Sequence, residues 1–384
     1  MNTKKILIFG TSYYPFVGGA EVTIKEITDR ISDFKFDLIT AKRKHNLPKF
    51  EKMGNVNVYR LGIGISVLDK FLLPFWGAFK AISLNRKNNY SYYWCMMVTF
   101  ASGAAYIFNI LKFWKPVPVV LTLQEGDSED HFKNRWFGLI NLSWKLALSR
   151  TSYLTVLSKY LEDRARKFGY KGKVKIVPNG VDINKFSKDI SNEERYLLRQ
   201  SFGAKNGDVV LVTASRLVLK NGVGDVIKAL PKLPENVKFV VIGEGELKRE
   251  LEELAGKLNV SKRVIFKNFV SHDKIPKYLK ACDIFIRPSL SEGFGNSFIE
   301  AMAARLPVIA TPVGGIVDFL TEGETGYFCK PQDPASIVVA INRILNDSGK
   351  DKIIENAYNK VKEKYDWNLI AGQMKNLFSN TYDK

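Results

Sequence analysis

Residues 281–300 read ACDIFIRPSLSEGFGNSFIE: an apolar run with the character of a buried strand, a glycine-bearing turn, and the start of a helix. Gly293 and Gly295 let the backbone approach a ligand closely. Asn296 or Ser297 can cap the helix that continues through Phe298, Glu300, Ala301, Met302 and Ala303. Amides exposed at such a helix start carry partial positive charge and suit a diphosphate. Glu292 on the loop and Glu300 in the first turn would then flank the phosphates, where their oxygens can accept hydrogen bonds from hydroxyls. A plainer reading makes Ser297 and Glu300 an S-x-x-E capping box and leaves Glu292 a solvated loop charge.

The flanking sequence repeats the strand, glycine turn, helix pattern. Residues 305–320, RLPVIATPVGGIVDFL, give a short strand, a turn with Pro312, Gly314 and Gly315, and another helix start, and ETGYF (324–328) follows. Across the second half, VVLVTAS (209–215), KFVVIG (238–243), VIFKNFV (264–270), IFIRPS (284–289) and PVIAT (307–311) read as strands separated by helical stretches. The first half shows the same alternation in ILIFG (6–10), FDLIT (36–40), VNVYRL (56–61), the segment around Trp94, VVLTL (119–123), YLTVLS (153–158) and KIVPNG (175–180). Such alternation gives parallel sheets covered by helices on both faces. At 384 residues the chain is too long for one ordinary core, and a composition shift near 182–194 suggests a linker between two domains.

With these motifs in order, the chain resembles family 4 of the retaining glycosyltransferases, whose donor motif is E-x7-E followed by EAMA, PVIAT and GG. The resemblance runs from about Tyr13 to Trp367. It implies an α/β GT-B fold of two Rossmann-like parallel-sheet domains facing across a cleft. Residues 1–185 would bind the acceptor, 186–365 the nucleotide sugar, and 366–384 would form a C-terminal helix packing back on the first domain. The implied reaction is metal-independent, cofactor-free transfer of a hexose-type sugar, with retention, from a nucleotide diphosphate sugar to a hydroxyl of a lipid-linked or cell-envelope glycan.

Several residues receive roles from this resemblance. Arg216 and Lys220, in ASRLVLKNG (214–222), would neutralise the leaving diphosphate, and Glu292 would bind sugar hydroxyls. Glu300 would hold the ribose, with Phe294, Gly295, Asn296 and Ser297 around the donor and Val270 lining the nucleoside pocket through its backbone. Gly18 and Gly19, in YPFVGGAE (14–21), would offer amides to the diphosphate from the first domain. Two departures stand out. Asn221 occupies the place where relatives put the lysine before the glycine, and Gln124, Glu125 and Asp127 follow VVLTL where many relatives carry a histidine. These three are assigned to the sugar or acceptor side. Readings from other classes are a GT-B sugar-nucleotide epimerase and a non-catalytic binder of an anionic glycan or polymer. Release of nucleoside diphosphate separates them from a transferase.

Composition narrows the partners. The net charge of +19 is uneven: +15 over residues 1–180 against +4 over 181–384. Basic clusters at 42–44, 86–87 and 171–175 suit anionic lipid headgroups or anionic substrates. No zinc finger, RNA-recognition signature or basic dimerisation helix accompanies them, so dedicated nucleic-acid binding is not expected. Cys95, Cys282 and Cys329 are widely spaced and read as reduced core residues in a cytoplasmic protein, and with only His45, His131 and His272 no metal site is expected. The uncharged stretch 88–111 contains too many polar residues for a membrane span and reads as a strand followed by a packed helix. Residues 67–80, VLDKFLLPFWGAFK, interleave Phe71, Leu72, Phe75, Trp76 and Phe79 with Lys70 and Lys80, a pattern that suits peripheral contact with the inner face of the cell membrane.

Overall fold

The computed structural model describes residues 4–111, 116–126 and 139–380, the side chains of 139–142 and 380 excepted. The chain forms two compact units, one holding residues up to Asn179 together with those from Trp367 onward, the other Gly180–Asp366. The stretch 182–194, a linker by composition, is instead structured and belongs to the second unit. Asp182 accepts from the Lys185 amide to cap the helix Ile183–Ser187, and Ser191 accepts from the Glu194 amide to cap Asn192–Ser201. Polar composition marked these caps, not a flexible connection.

The sheet of the first unit contains β1 (Lys4–Phe9), β2 (Phe34–Ala41), β3 (Phe50–Met53), β4 (Val56–Leu61), β5 (Tyr90–Met96), β6 (Val119–Leu123), β7 (Tyr153–Val156) and β8 (Val174–Ile176), in the order β3-β4-β2-β1-β5-β6-β7-β8. All neighbours are parallel except β3, which runs antiparallel to β4 at the edge. Ile6, Leu7, Ile8 and Phe9 are all fully buried, as a strand covered on both faces requires. The uncharged stretch 88–111 resolves into β5 and the helix α3 (Phe100–Leu111). The final helix, Trp367–Asn380, buries Trp367, Ile370, Met374 and Phe378 along one stripe. Its Phe378 ring meets Phe34, Tyr92 and Trp94 at 5.9, 6.1 and 5.6 Å.

The second unit has six parallel strands: β9 (Val209–Ala214), β10 (Val237–Ile242), β11 (Val264–Lys267), β12 (Ile284–Arg287), β13 (Val308–Ala310) and β14 (Tyr327–Phe328). Their order, β11-β10-β9-β12-β13-β14, reverses direction between β9 and β12. In an open parallel sheet the chains leaving such a switch point diverge to opposite faces, opening a crevice at the carboxyl ends of the strands. Arg216 and Lys220 follow β9, and Glu292 follows β12, so this crevice gathers most of the candidate residues. All three cysteines are buried, and burial pushes their thiols upward in pKa.

Candidate functional site

The loops at this crevice are sewn together by backbone. Leu217 donates to the Glu244 carbonyl (2.9 Å), Leu290 to the Lys220 carbonyl (2.7 Å), and Gly315 to the Glu292 carbonyl (3.1 Å). Two glycines make this approach possible. Gly222 (φ +68°) and Gly314 (φ +58°) lie in the left-handed region, and a β-carbon would stand 2.0 Å from the Pro288 carbonyl oxygen or 1.8 Å from that of Glu292. Asn221 is buried and donates to the Arg216 carbonyl at 2.6 Å. It therefore braces the loop, leaving Lys220, half-buried, and Arg216, exposed, as its cations. The Arg216 guanidinium forms no ion pair among the described residues.

Across the switch point, Arg287 ends β12 fully within the protein. Its Nη2 donates to Glu292 Oε2 (2.5 Å) and its Nη1 to Ser297 Oγ (2.9 Å), and the guanidinium lies 4.2 Å from the Phe298 ring centre. Burial lowers its pKa below the ordinary guanidinium value, opposed by the charges of Glu292 and Glu300, yet an arginine remains a cation there. The ion pair has two consequences. Glu292 is not a solvated loop charge but a fixed carboxylate, which also accepts from the Gly293 amide (3.2 Å). Ser297 is engaged by Arg287, so the S-x-x-E capping box does not form. The helix Asn296–Ala303 begins at Gly295 (φ +101°), which has no side-chain cap.

Glu300 lies one turn further into the helix than the sequence suggests, as the helix starts at Asn296, and is largely buried, with Oε1 2.9 Å from His272 Nε2 on the loop after β11. The His272 ring packs at 5.7 Å on Phe186. Sequence reasoning passed over both partners: His272 read as one of three scattered histidines, and Arg287 as part of an apolar strand. A cation closing an otherwise apolar strand, five residues before a glutamate, was the available signal. Phe294 is placed differently from its donor-side assignment. Its ring is buried against Phe319 (5.4 Å) and Tyr365 (5.6 Å), so only its backbone can meet a ligand. Val270 is half-buried beside the exposed Phe269, whose amide donates to Glu244. A cavity of about 750 Å³ opens at the opposite end of the same sheet, but most of its charges are paired, among them Lys280 with Asp189 and Asp283 with Arg195 and Arg199.

In the first unit, Gly18 and Gly19 open the helix α1 (Gly19–Arg30). The Gly18 amide, assigned to a diphosphate, is taken by the Glu21 carboxylate, which also accepts from its own N–H; burial nevertheless raises the Glu21 pKa. Gln124 and Glu125 follow β6. The Gln124 amide nitrogen donates to Thr23 Oγ1 (3.3 Å), which in turn donates to Asn179 Oδ1 (2.7 Å). Glu125 is buried, accepting from the Val98 amide (2.5 Å) and the Gln124 amide (2.9 Å), while Arg164 donates to its carbonyl (3.1 Å). Asp127 lies outside the described residues.

Burial pushes Glu125 up to about 7, against the pull of those amides and of Arg164. Its folded pKa exceeds its unfolded one, so the contribution to stability is full in acid and fades as pH rises towards neutrality. We expect the stability difference between wild type and Glu125→Gln to shift in favour of the variant from about pH 4.5 to above 7, by on the order of 3 kcal/mol. Urea titrations across that range check it, and a difference independent of pH would place Glu125 in a wetter site.

No cluster of histidine, cysteine and acidic side chains among the described residues could hold a metal ion. Comparison with known proteins gives a consistent picture. Residues 17–185 match the model described as Glycosyltransferase Family 4, and residues 194–360 the one described as Glycosyl transferases group 1. An uncharacterized glycosyltransferase of Methanocaldococcus jannaschii is 28% identical over 391 residues, 97% of each chain. The lipopolysaccharide 1,2-N-acetylglucosaminetransferase of Salmonella typhimurium is 31% identical over 223 residues, 55% of this chain and 58% of that one. HepE of Anabaena, solved in complex with UDP and glucose, superposes with a TM-score of 0.78 at 23% identity, covering 98% of this chain and 99% of that one.

Proposed function

The chain belongs to the family 4 glycosyltransferases of GT-B fold, and from that premise we propose that it transfers a hexose-type sugar, with retention, from a nucleotide diphosphate sugar to an acceptor hydroxyl. The observation that carries this reading is the start of the helix Asn296–Ala303. It has no side-chain cap and opens into the switch-point crevice, with Arg287 fixing Glu292 on one side and His272 holding Glu300 on the other. Anions bind favourably at such a start. Glu300 would accept from the ribose hydroxyls and Glu292 from those of the sugar. Arg216 and Lys220 would stabilise charge developing on the diphosphate as the bond from the anomeric carbon to the phosphate oxygen breaks. The acceptor oxygen would attack the same face, passing its proton to the departing phosphate oxygen, a route that calls for neither cofactor nor metal.

Glu300→Gln tests the donor half directly. A charge-assisted hydrogen bond is worth about 1.5–3 kcal/mol, so donor affinity should fall roughly tenfold or more. Calorimetry with nucleoside diphosphates measures it. Equal affinity in a folded variant would remove Glu300 from the site.

The first unit would bind the acceptor, which we take to be a lipid-linked or cell-envelope glycan, at the inner face of the membrane. No helix among the described residues is long and apolar enough to cross a bilayer. Instead the helix α2 (Ser66–Lys87) bares Val67, Phe71, Phe75 and Phe79 at four-residue spacing, Phe79 being 68% exposed, and ends in exposed Arg86 and Lys87. Leu72 and Trp76, which the sequence groups with them, turn to half-buried positions. An apolar stripe with a basic end suits a membrane interface, where each basic residue contributes about 1 kcal/mol within a Debye length. The named activity of the Salmonella relative on lipopolysaccharide supports the same acceptor class. Sedimentation with anionic vesicles should pellet the protein at low salt, and less so at high salt or after Phe75→Ser. Equal pelleting by neutral vesicles would count against it.

A further inference from the structure

We propose that Arg43, with Lys70 beside it, forms a binding site for a phosphate or carboxylate group carried by the acceptor, a proposal that rests on the first unit being the acceptor domain. Three parallel strands deliver its parts at their carboxyl ends: Ser12 follows β1, Arg43 follows β2, and Ser66 and Lys70 open the helix that follows β4. Arg43 sits at φ +63°, a costly backbone for an arginine. Its amide is held there by Asp69 Oδ2 at 3.1 Å. Asp69 is fully buried, and its carboxylate also accepts from the amides of Ile63 (2.9 Å) and Gly64 (2.8 Å). The acid next to the cations is thus spent on fixing the loops.

The guanidinium is equally fixed. Nη1 donates to Ser12 Oγ (2.7 Å), Nε to Ser66 Oγ (3.2 Å), and the group lies 4.1 Å over the Phe16 ring, with the Lys44 ammonium 5.5 Å from the same ring. No carboxylate pairs with Arg43 or Lys70 among the described residues. Glu21, whose charge Arg43 feels, is bound to the Gly18 amide. Each serine oxygen accepts from Arg43, which leaves its hydrogen to point elsewhere. What remains to offer a ligand is therefore a set of donors only: Arg43 Nη2, two hydroxyls and the Lys70 ammonium. Lys70 stands one helical turn beyond Ser66, on the same face of the helix, and burial, then the charge of Arg43, lower its pKa. Two like charges converging in a half-buried place are unfavourable until an anion arrives. A planar guanidinium held rigid before binding loses little entropy when it grips an oxyanion through two hydrogen bonds.

The test is calorimetric titration of inorganic phosphate into wild type, Arg43→Gln, Lys70→Gln and Arg216→Ala. Arg43→Gln should lower the affinity of the site by about tenfold or more, Lys70→Gln several-fold, and Arg216→Ala should leave it in place. Unchanged phosphate binding in folded Arg43→Gln overturns the proposal; should that variant not fold, equal binding in Lys70→Gln does so. Vesicles of phosphatidylcholine containing phosphatidylglycerol give a second arm. Weaker pelleting of Arg43→Gln places the bound phosphate on a lipid headgroup, whereas loss of phosphate binding with unaltered pelleting places it on a soluble acceptor. Binding needs no turnover, so a chain that grips phosphate at Arg43 but transfers no sugar contradicts only the catalytic reading. Transfer with an acceptor KM unmoved by Arg43→Gln contradicts only this one.

Discussion

Arg216→Ala should slow sugar transfer by about a hundredfold while leaving the melting temperature essentially where it is. The two halves of this expectation come from one geometry. The side chain is exposed and forms no ion pair among the described residues, whereas the backbone carbonyl is what Asn221 holds. Truncation beyond the β-carbon therefore leaves the loop intact and removes only a cation at the carboxyl end of β9. A charge there acts on the transition state, as negative charge gathers on the leaving diphosphate, more than on the bound donor. The loss should then appear in kcat more than in KM. Single-turnover kinetics beside thermal denaturation decide the matter, and normal turnover in an intact protein would move the phosphate cations elsewhere.

Arg287→Leu should do the opposite, costing the fold first. Removing one partner of a buried ion pair leaves the other charge uncompensated, at a cost of about 3–5 kcal/mol, and the residual exposure of Glu292 places this pair near the lower end. The Ser297 hydroxyl and the face of Phe298 lose their partner at the same time. Chemical denaturation should show the loss, with donor affinity falling because Glu292 is no longer aimed. Combining Arg287→Leu with Glu292→Leu should recover part of the stability but none of the affinity. If the single variant is as stable as wild type, the pair does not organise this loop.

The sheets were legible in the sequence for a simple reason. Strands buried on both faces are continuous apolar runs, and most of the fourteen among the described residues fall in such runs, whereas β8 overlaps KIVPNG only at the exposed Lys175 and Ile176. β3 is FEKM at an exposed edge, where Phe50 meets Tyr59 at 5.1 Å and Glu51 pairs with Arg60, contacts that leave no continuous apolar run. Residues 182–194 misled because capping residues and loop residues are the same polar types. At the site, the glycine turn and the two glutamates could be read from spacing, but not what holds them. Arg287 meets Glu292 from the end of the strand that precedes it, and His272 meets Glu300 from a loop 28 residues away, and no periodicity encodes such meetings. Phe294 shows the converse: its place in the motif is correct, yet its ring belongs to the core. The stripe on α2 was visible as composition, and only the four-residue spacing of the exposed rings separated Phe71, Phe75 and Phe79 from Leu72 and Trp76.

The most direct test of the account is mass spectrometry of the products formed from a panel of nucleotide diphosphate sugars with lipid-extract acceptors. The account predicts nucleoside diphosphate released in step with an acceptor heavier by one hexose-type residue, and neither product from Arg216→Ala on the same timescale. A donor that stays intact in every combination, or a sugar isomerised on its nucleotide without transfer, would contradict it.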